Sequence, residues 1–384
     1  MLNLTTSTNR QGYNFALQRA WDVLGKNMYQ TPVKSSLSEA RAKVSYRFFA
    51  DIFDEDVKRF KGMGKTYRGY QIYAVDGSDL DLPASSDVLS AGYRGSLWSK
   101  EYETHYPKMH VVHAFDVMNG VVGVFKQSTK NSERALASEI SSSFEKKSLT
   151  IYDRLFCGHP TFKAHIESES LFLIRATTEG QRLPFCVRDF LASDLVDQEV
   201  KWKPTKLRNS EALAVRLIKI KNPKTNEVNV FVTNAPQKLF SRLELGKLYL
   251  KRWEIEGSFR DLVSTMKMDQ WHSAKLNGIL QEIYCLLWIT NAVKMQMHRA
   301  LEAEDPFDTA YVKSNFKMCI CLVVDNVGLL FKRRPEKFFE IIDHWVRRTR
   351  EKRRHHSRSY PRVVRSYGTG FSVDCKVLRS TRCS

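Results

Sequence analysis

No hydrophobic stretch of the 384-residue chain reaches the roughly 18 residues that a membrane-spanning helix needs. The longest candidates, residues 283–293 and 319–331, are interrupted by polar side chains, so no membrane partner is expected. The opening segment, MLNLTTSTNRQGYNFAL, lacks the basic-then-apolar pattern of a secretory signal. Seven cysteines form no CxxC pair and no metal-ligand spacing, which excludes a zinc ribbon and a disulfide framework and leaves reduced thiols as the expectation. A cytoplasmic location follows from those two absences. There is no internal repeat and no extended low-complexity tract, which excludes solenoids and fibres. Acid is also in short supply, with 42 Asp and Glu against 61 Lys and Arg.

What is there is a chain with 42% hydrophobic residues, ample for a sizeable core, and a length that suggests two or three domains. Its formal charge of +19 makes a polyanion the default partner, and in a cytoplasm that means DNA or RNA. The charge is uneven. Residues 332–365 hold 13 Lys and Arg against four acids, about half of the whole excess. Within that stretch Arg347, Arg348, Arg350, Arg353 and Arg354 form a run dense enough to bind phosphate rather than merely solvate a helix end. Arg41, Lys43, Arg47, Lys58, Arg59 and Lys61 add positive charge near the start, where no clear helix-turn-helix signature appears.

Apolar periodicity predicts helices over 13–24 and 38–53, the second with Ser38 as N-cap. A short apolar run over 70–76 then ends on Asp76, where Gly77 permits the backbone to turn away and leave the carboxylate at a sheet edge. Strands follow over 109–115 and 121–125, joined by the turn-forming Met118-Asn119-Gly120. A helix to about 146, a strand over 149–152 ending on Asp153, a helix over 162–169 and a strand over 171–176 come next. Residues 177–236 turn strand-rich, with a hairpin over 215–221 and 228–233, and look inserted. From 244 to about 300 the period is helical, and the rest is helical and increasingly basic. Such an order predicts an α/β fold, a mixed sheet with helices on its faces.

Asp76 and Asp153 are acids at strand ends, although an Asp-Gly pair is commonly a turn cap and Asp153 could equally pair with Arg154 or cap a helix. Further on, Leu248, Ile255, Phe259, Leu262 and Met266 step as a core-facing stripe. Beside it, at about 100° per residue, Tyr249 and Arg252 fall within roughly 40° of Glu256. The plain alternative is an ordinary i,i+4 pair between Arg252 and Glu256.

Tyr-x2-Arg-x3-Glu at Tyr249, Arg252 and Glu256, with Trp253-Glu254-Ile255 inside it, Thr233-Asn234 upstream and the two strand-end acids, resembles the DDE transposases of insertion-sequence-four type. The resemblance runs from about residue 38 to 286. It implies a ribonuclease-H-like core with a β-rich insertion, divided as a helical DNA-binding region 1–66, core 67–176, insertion 177–243, completion of the core 244–300 and a basic helical region 301–384. It implies that Asp76, Asp153 and Glu256 are the catalytic, metal-binding triad for two Mg²⁺ ions, with Mn²⁺ as a substitute, and that Tyr249 and Arg252 contact DNA near the scissile phosphate. The signature continues to a Lys seven residues after the Glu. Val263 stands there, and Lys267, one turn on and about 20° from Glu256 by helical arithmetic, either substitutes as a DNA contact or leaves this copy impaired.

The expected function is a Mg²⁺-dependent DNA transposase that cuts insertion-sequence ends and transfers the 3′ hydroxyl to target DNA, acting on double-stranded DNA as a homodimer. The alternative is a non-enzymatic DNA-binding protein. Among competing residues, Asp116 ends the second strand, Asp79 and Asp81 read as loop residues, and Glu254 and Asp261 point away from Glu256. His110 and His113 sit three apart in a strand and so face opposite ways. Phe185 and Trp202 are candidates to stack on an extruded base, although a core or surface role is commoner.

Overall fold

The computed structural model describes residues 12–26, 28–95, 106–129, 133–178, 183–203, 211–221, 226–301, 312–352, 363–365 and 372–374. Three helices lead: α1 (Tyr13–Val23), α2 (Lys34–Lys43) and α3 (Arg47–Lys61). Ser38 therefore lies inside α2, whose N-cap is Val33, and the helix expected over 38–53 is broken where Val44 turns extended. After β1 (Gln71–Asp81) and the short α4 (Ser86–Ser90) come β2 (Lys108–Asp116), β3 (Val121–Ser128), α5 (Glu133–Ser141) and β4 (Ser148–Tyr152). A 3-10 turn at Arg154–Phe156 leads to α6 (His159–Glu167), β5 (Leu171–Arg175), α7 (Phe185–Ala192), β6 (Asp197–Trp202), β7 (Leu213–Lys221) and β8 (Val228–Thr233).

These eight strands make one sheet in the order β3-β2-β1-β4-β5-β8-β7-β6. β1, β2 and β3 pair antiparallel, while β1 with β4 and β4 with β5 pair parallel, giving the ribonuclease-H-like mixed sheet. Gly120, at φ +73, makes the β2–β3 turn that its sequence predicts. The strand-rich stretch after residue 177 extends this same sheet: β8 pairs antiparallel with β5, and Asn234 clasps the junction, donating to the Ser170 carbonyl and accepting from Phe172 N–H, each at 2.8 Å.

After β8 the chain is helical: α8 (Arg242–Leu250), α9 (Trp253–Arg260), a π-turn at Asp261–Thr265, and the long α10 (Leu276–Ala300). Then follow β9 (Val312–Ser314), α11 (Phe316–Asn326), α12 (Gly328–Phe331), α13 (Pro335–Arg348), β10 (Arg350–Lys352), β11 (Val363–Arg365) and β12 (Ser372–Asp374). Two apolar cores lie on opposite faces of the sheet. Ile72, Ala74, Leu149 and Ile151 pack under α3, α9, α10, α11 and α13, whereas Tyr73, Val75 and Tyr152 pack against α5, α6 and α7. The alternation of strand side chains thus assigns each residue of β1 and β4 to one face. Among the described residues no helix is long and apolar enough to cross a membrane.

The leading helices are locked to the core by a buried charge cluster rather than by apolar contact alone. Arg41 donates to Glu282 Oε1 at 2.9 Å, to Gln281 Oε1 at 3.2 Å, to the Gly278 carbonyl at 2.9 Å and to the Tyr13 hydroxyl at 2.6 Å. Glu282 is fully buried and also accepts from His272 N–H. Arg41 is therefore a structural ion-pair partner and not a DNA contact, and Lys58 and Lys61 are likewise engaged, with Glu55 and Glu145. Removing one member of a buried pair strands the other charge. Arg41→Met should lower unfolding stability by about 3–5 kcal/mol and make α1 and α2 protease-sensitive, while Arg41→Met with Glu282→Met should lose less than Arg41→Met alone. Denaturant titration with limited proteolysis checks this; an unchanged midpoint in Arg41→Met would contradict the lock.

Candidate functional site

β1 and β4 run parallel only as far as the pair Val75 and Tyr152. The next residues are Asp76 and Asp153, so the two carboxylates leave neighbouring strands at the same level. Asp76 lies two residues beyond Ala74, and Asp153 two beyond Ile151, both members of the core under α9 and α10. The backbone of Asp153 is still extended, at φ −72 and ψ 166, so period-two alternation turns both side chains toward α9, the helix that carries Glu256. β1 itself does not stop. It continues to Asp81 paired with β2, which corrects the expectation of a backbone that turns away at Gly77. A Cβ at 77 would lie 2.8 Å from Glu133 Cδ, so any larger residue there would displace the end of the Glu133 side chain.

The helical side of the site begins with a capping box. The Ser241 hydroxyl accepts from Glu244 N–H, and Glu244 accepts back from Ser241 N–H at 2.9 Å. Glu244 is also held by the Tyr67 hydroxyl at 2.8 Å and Arg68 at 2.6 Å, which ties the start of α8 to the entry of β1. At the other end of α8, Tyr249 packs on Phe231 with ring centroids 4.6 Å apart. Arg252, mostly buried, hydrogen-bonds the Tyr249 hydroxyl, donates to Glu256 Oε1 at 3.2 Å and stands 4.0 Å from Asp76 Oδ2. Its guanidinium also lies over the Trp253 ring, 5.1 Å from the centroid. Asp76, Asp153, Tyr249, Arg252 and Glu256 are therefore gathered at one place by two strand ends and one helix junction.

The plainer roles also hold. Asp76 Oδ1 accepts from Gly77 N–H at 3.0 Å, Asp153 caps the 3-10 turn by accepting from Arg154 N–H at 2.6 Å, and Arg252 with Glu256 is an i,i+4 pair. Among the described residues no three carboxylate, histidine or cysteine side chains are close enough together to share one ion. The guanidinium of Arg252 bridges the strand-side and helix-side acids.

Burial pushes the Asp76 carboxyl up to about 6, with Glu133 and Asp153 adding to the rise and the Gly77 N–H and Arg252 opposing it. Burial likewise takes the Tyr249 hydroxyl up to about 12, so it stays protonated and available as a donor.

Several expectations need correction. The helix bearing Glu256 widens into a π-turn, with Met266 N–H bonded to the Asp261 carbonyl at 2.9 Å, and Lys267 has left the helix at φ +54. The 100° arithmetic that aligned Lys267 with Glu256 therefore fails, because a π-turn changes the phase and the helix has ended. Val263 packs against the core, where an apolar side chain fits. Asp79 and Asp81 are strand residues of β1, paired with His110 (2.5 Å to Nδ1) and with Lys108. Asp116 is a buried turn cap that accepts from the Met118 and Asn119 amides. Asp261 is engaged by Lys294. Trp202 is buried against Phe162, whereas Phe185 is exposed beneath Arg188. Arg347 donates to the Ala300 carbonyl at 3.3 Å, and Arg348 and Arg350 are exposed at the end of α13 and in β10; Arg353 and Arg354 lie outside the described residues.

A carboxyl whose pKa is higher in the folded than in the unfolded chain is a cost fully present above the folded value and gone below the unfolded one. In chelator-treated protein, Asp76→Asn should therefore raise unfolding stability on the order of 2 kcal/mol at pH 8, and by progressively less as pH falls from 6 toward 4. Denaturation midpoints at pH 8, 6 and 4 measure this; a gain that grows toward acid would contradict it.

Comparison with known proteins gives three findings. No curated protein matches the sequence. Among solved structures, the synaptic complex of piggyBac transposase with hairpin DNA is similar at 11% identity and a TM-score of 0.38, over 72% of this chain and 57% of that one. The model of the transposase DDE domain matches residues 67–292, from the approach to β1 through most of α10, and so takes in both strand ends and the helix of Glu256. The chain belongs to the transposase DDE domain family.

Proposed function

We propose that the protein is a DNA transposase that cuts at the ends of an insertion sequence and transfers the freed 3′ hydroxyl to target DNA, with Asp76, Asp153 and Glu256 as its catalytic, metal-binding carboxylates. The observation that carries this reading is the pair of register-neighbouring aspartates at the parting of β1 and β4, turned toward the helix of Glu256, within a family-matched segment. The donor set suits hard divalent cations, which prefer carboxylate oxygen and keep water and phosphate as further ligands. The raised pKa of Asp76 fits as well, since a half-buried carboxylate with acidic neighbours is relieved by a cation. Bound there, two Mg²⁺ or Mn²⁺ ions would supply Lewis-acid stabilisation of the attacking and leaving oxygens of an in-line phosphodiester displacement.

The chain's own residues do the rest. Asp76 and Asp153 define one wall of the site and Glu256 the other. Arg252 neutralises the acids while the site is free of DNA, and then has a backbone phosphate as its alternative partner, for which a guanidinium fork is well shaped. Tyr249, protonated and braced by Phe231, donates to the same strand. The exposed Arg348 and Arg350, with the formal charge of +19, supply sequence-independent phosphate attraction. Bringing two element ends together calls for two copies of the chain on DNA.

The second reading, a DNA-binding protein without catalysis, is favoured by Val263 at the signature Lys position. Cleavage separates the two. With Mg²⁺ and a duplex carrying the element's terminal repeat, the protein should nick at the repeat boundary, and Glu256→Gln should reduce nicking by more than the roughly 10–100-fold that loss of a ligand's supporting partner costs. Specific binding with no cleavage by either protein would establish the second reading.

A further inference from the structure

On β2, directly across from Asp76, stands His113: the two are register partners in the antiparallel β1–β2 ladder. Its neighbours two residues away on either side, Val111 and Phe115, belong to the core under α9, so its side chain is turned to the same face as Asp76. The ring is fully buried and meets Phe259 of α9 with centroids 4.1 Å apart at 61°. Neither ring nitrogen has a hydrogen-bond partner among the described residues. Phe259 lies one turn after Glu256 on α9, so the imidazole packs against the helix that carries Glu256.

A buried imidazole with both nitrogens unpaired is rare, and a buried polar group left unsatisfied in a fold calls for an explanation in function. Leucine or phenylalanine would fill that volume without stranding polar atoms. Directly opposed residues of an antiparallel pair have Cβ atoms about 4.5–5.5 Å apart, which brings the Asp76 carboxylate within one side-chain rotation of the ring. Asp76 already has one oxygen on the Gly77 N–H, while its other oxygen has, among the described residues, only Arg252 at 4.0 Å.

We infer that His113 is a positioning residue for Asp76: its ring N–H is the hydrogen-bond donor that holds the Asp76 carboxylate in its ligating orientation once Arg252 gives way to the metal. The neutral imidazole serves, because one nitrogen carries a proton and the other needs none. Ligating carboxylates are held in this way at metal sites, and loss of such a partner costs about 10–100-fold in metal affinity. This inference rests on the reading of Asp76 as a metal ligand.

The test is Mn²⁺ binding to the full chain without DNA, followed by the electron paramagnetic resonance of free Mn²⁺, together with thermal unfolding in chelator. Wild-type protein should bind, and Asp76→Asn should not. If wild type does not bind, or Asp76→Asn binds equally well, the metal reading of Asp76 fails and this inference with it. Given Asp76-dependent binding, His113→Leu should bind Mn²⁺ at least about tenfold more weakly while its Tm rises by about 2 °C, because an uncompensated buried polar group has been removed. A merely structural histidine gives the reverse pattern, a lower Tm with unchanged Mn²⁺ affinity, and that result overturns the inference. Should His113→Leu lose both, His113→Gln decides: its side-chain amide keeps a donor, so recovery of affinity supports the inference and continued loss refutes it.

Discussion

Everything at the site depends on where two parallel strands part. β1 keeps β2 as a partner to Asp81 but loses β4 after Val75, because β4 breaks into a 3-10 turn capped by Asp153. One edge of β1 is thereby opened at Asp76 while the other stays bonded, and rigidity and access are obtained at the same residue. The pleat does the aiming: Ala74 and Ile151 are core residues on the α9 face, so the acids two positions later face α9 as well. The capping box at Ser241 and the bonds from Tyr67 and Arg68 to Glu244 then fix α8 against the entry of β1, and with it the junction that carries Arg252.

The same place holds two poorly compensated groups. Asp76 is half-buried with two acids nearby, and His113 is buried with no partner for either nitrogen among the described residues. Elsewhere buried charge is handled differently. Arg41 and Glu282 satisfy one another and four further groups, and Arg216 is held by Asp197 and two backbone carbonyls. A chain that pairs its buried charges in these positions and leaves Asp76 and His113 poorly paired beside β1 shows the usual exchange of stability for function at an active site. Arg252 is the temporary remedy, shared between Asp76 and Glu256.

The sequence made the framework legible wherever the signal was local. The period-two runs of β2, β4, β5, β7 and β8, the Gly120 turn and the stripe of α9 come from residues adjacent in the chain, and the Tyr249, Arg252 and Glu256 spacing survived because the junction at residues 251–252 keeps helical dihedrals. Failures came where tertiary contact overrules local preference. Gly77 reads as a turn, but it is a strand residue, held in β1 by its pairing opposite Val112 of β2. Lys267 reads as one more turn of helix, but the π-turn ends it. Arg41 reads as surface charge because the sequence does not reveal that Glu282, more than two hundred residues later, is buried beside it. His113 reads as half of an unsuitable ligand pair; its relation to Asp76 exists only in the register of β1 on β2.

The most direct test of the account is the location of Mn²⁺ by anomalous scattering from crystals of the protein grown with that ion. A peak is expected at the parting of β1 and β4, coordinated by carboxylate oxygens of both Asp76 and Asp153, with Arg252 turned away from Asp76. A well-occupied peak elsewhere, with that carboxylate pair still bridged by Arg252, would contradict it.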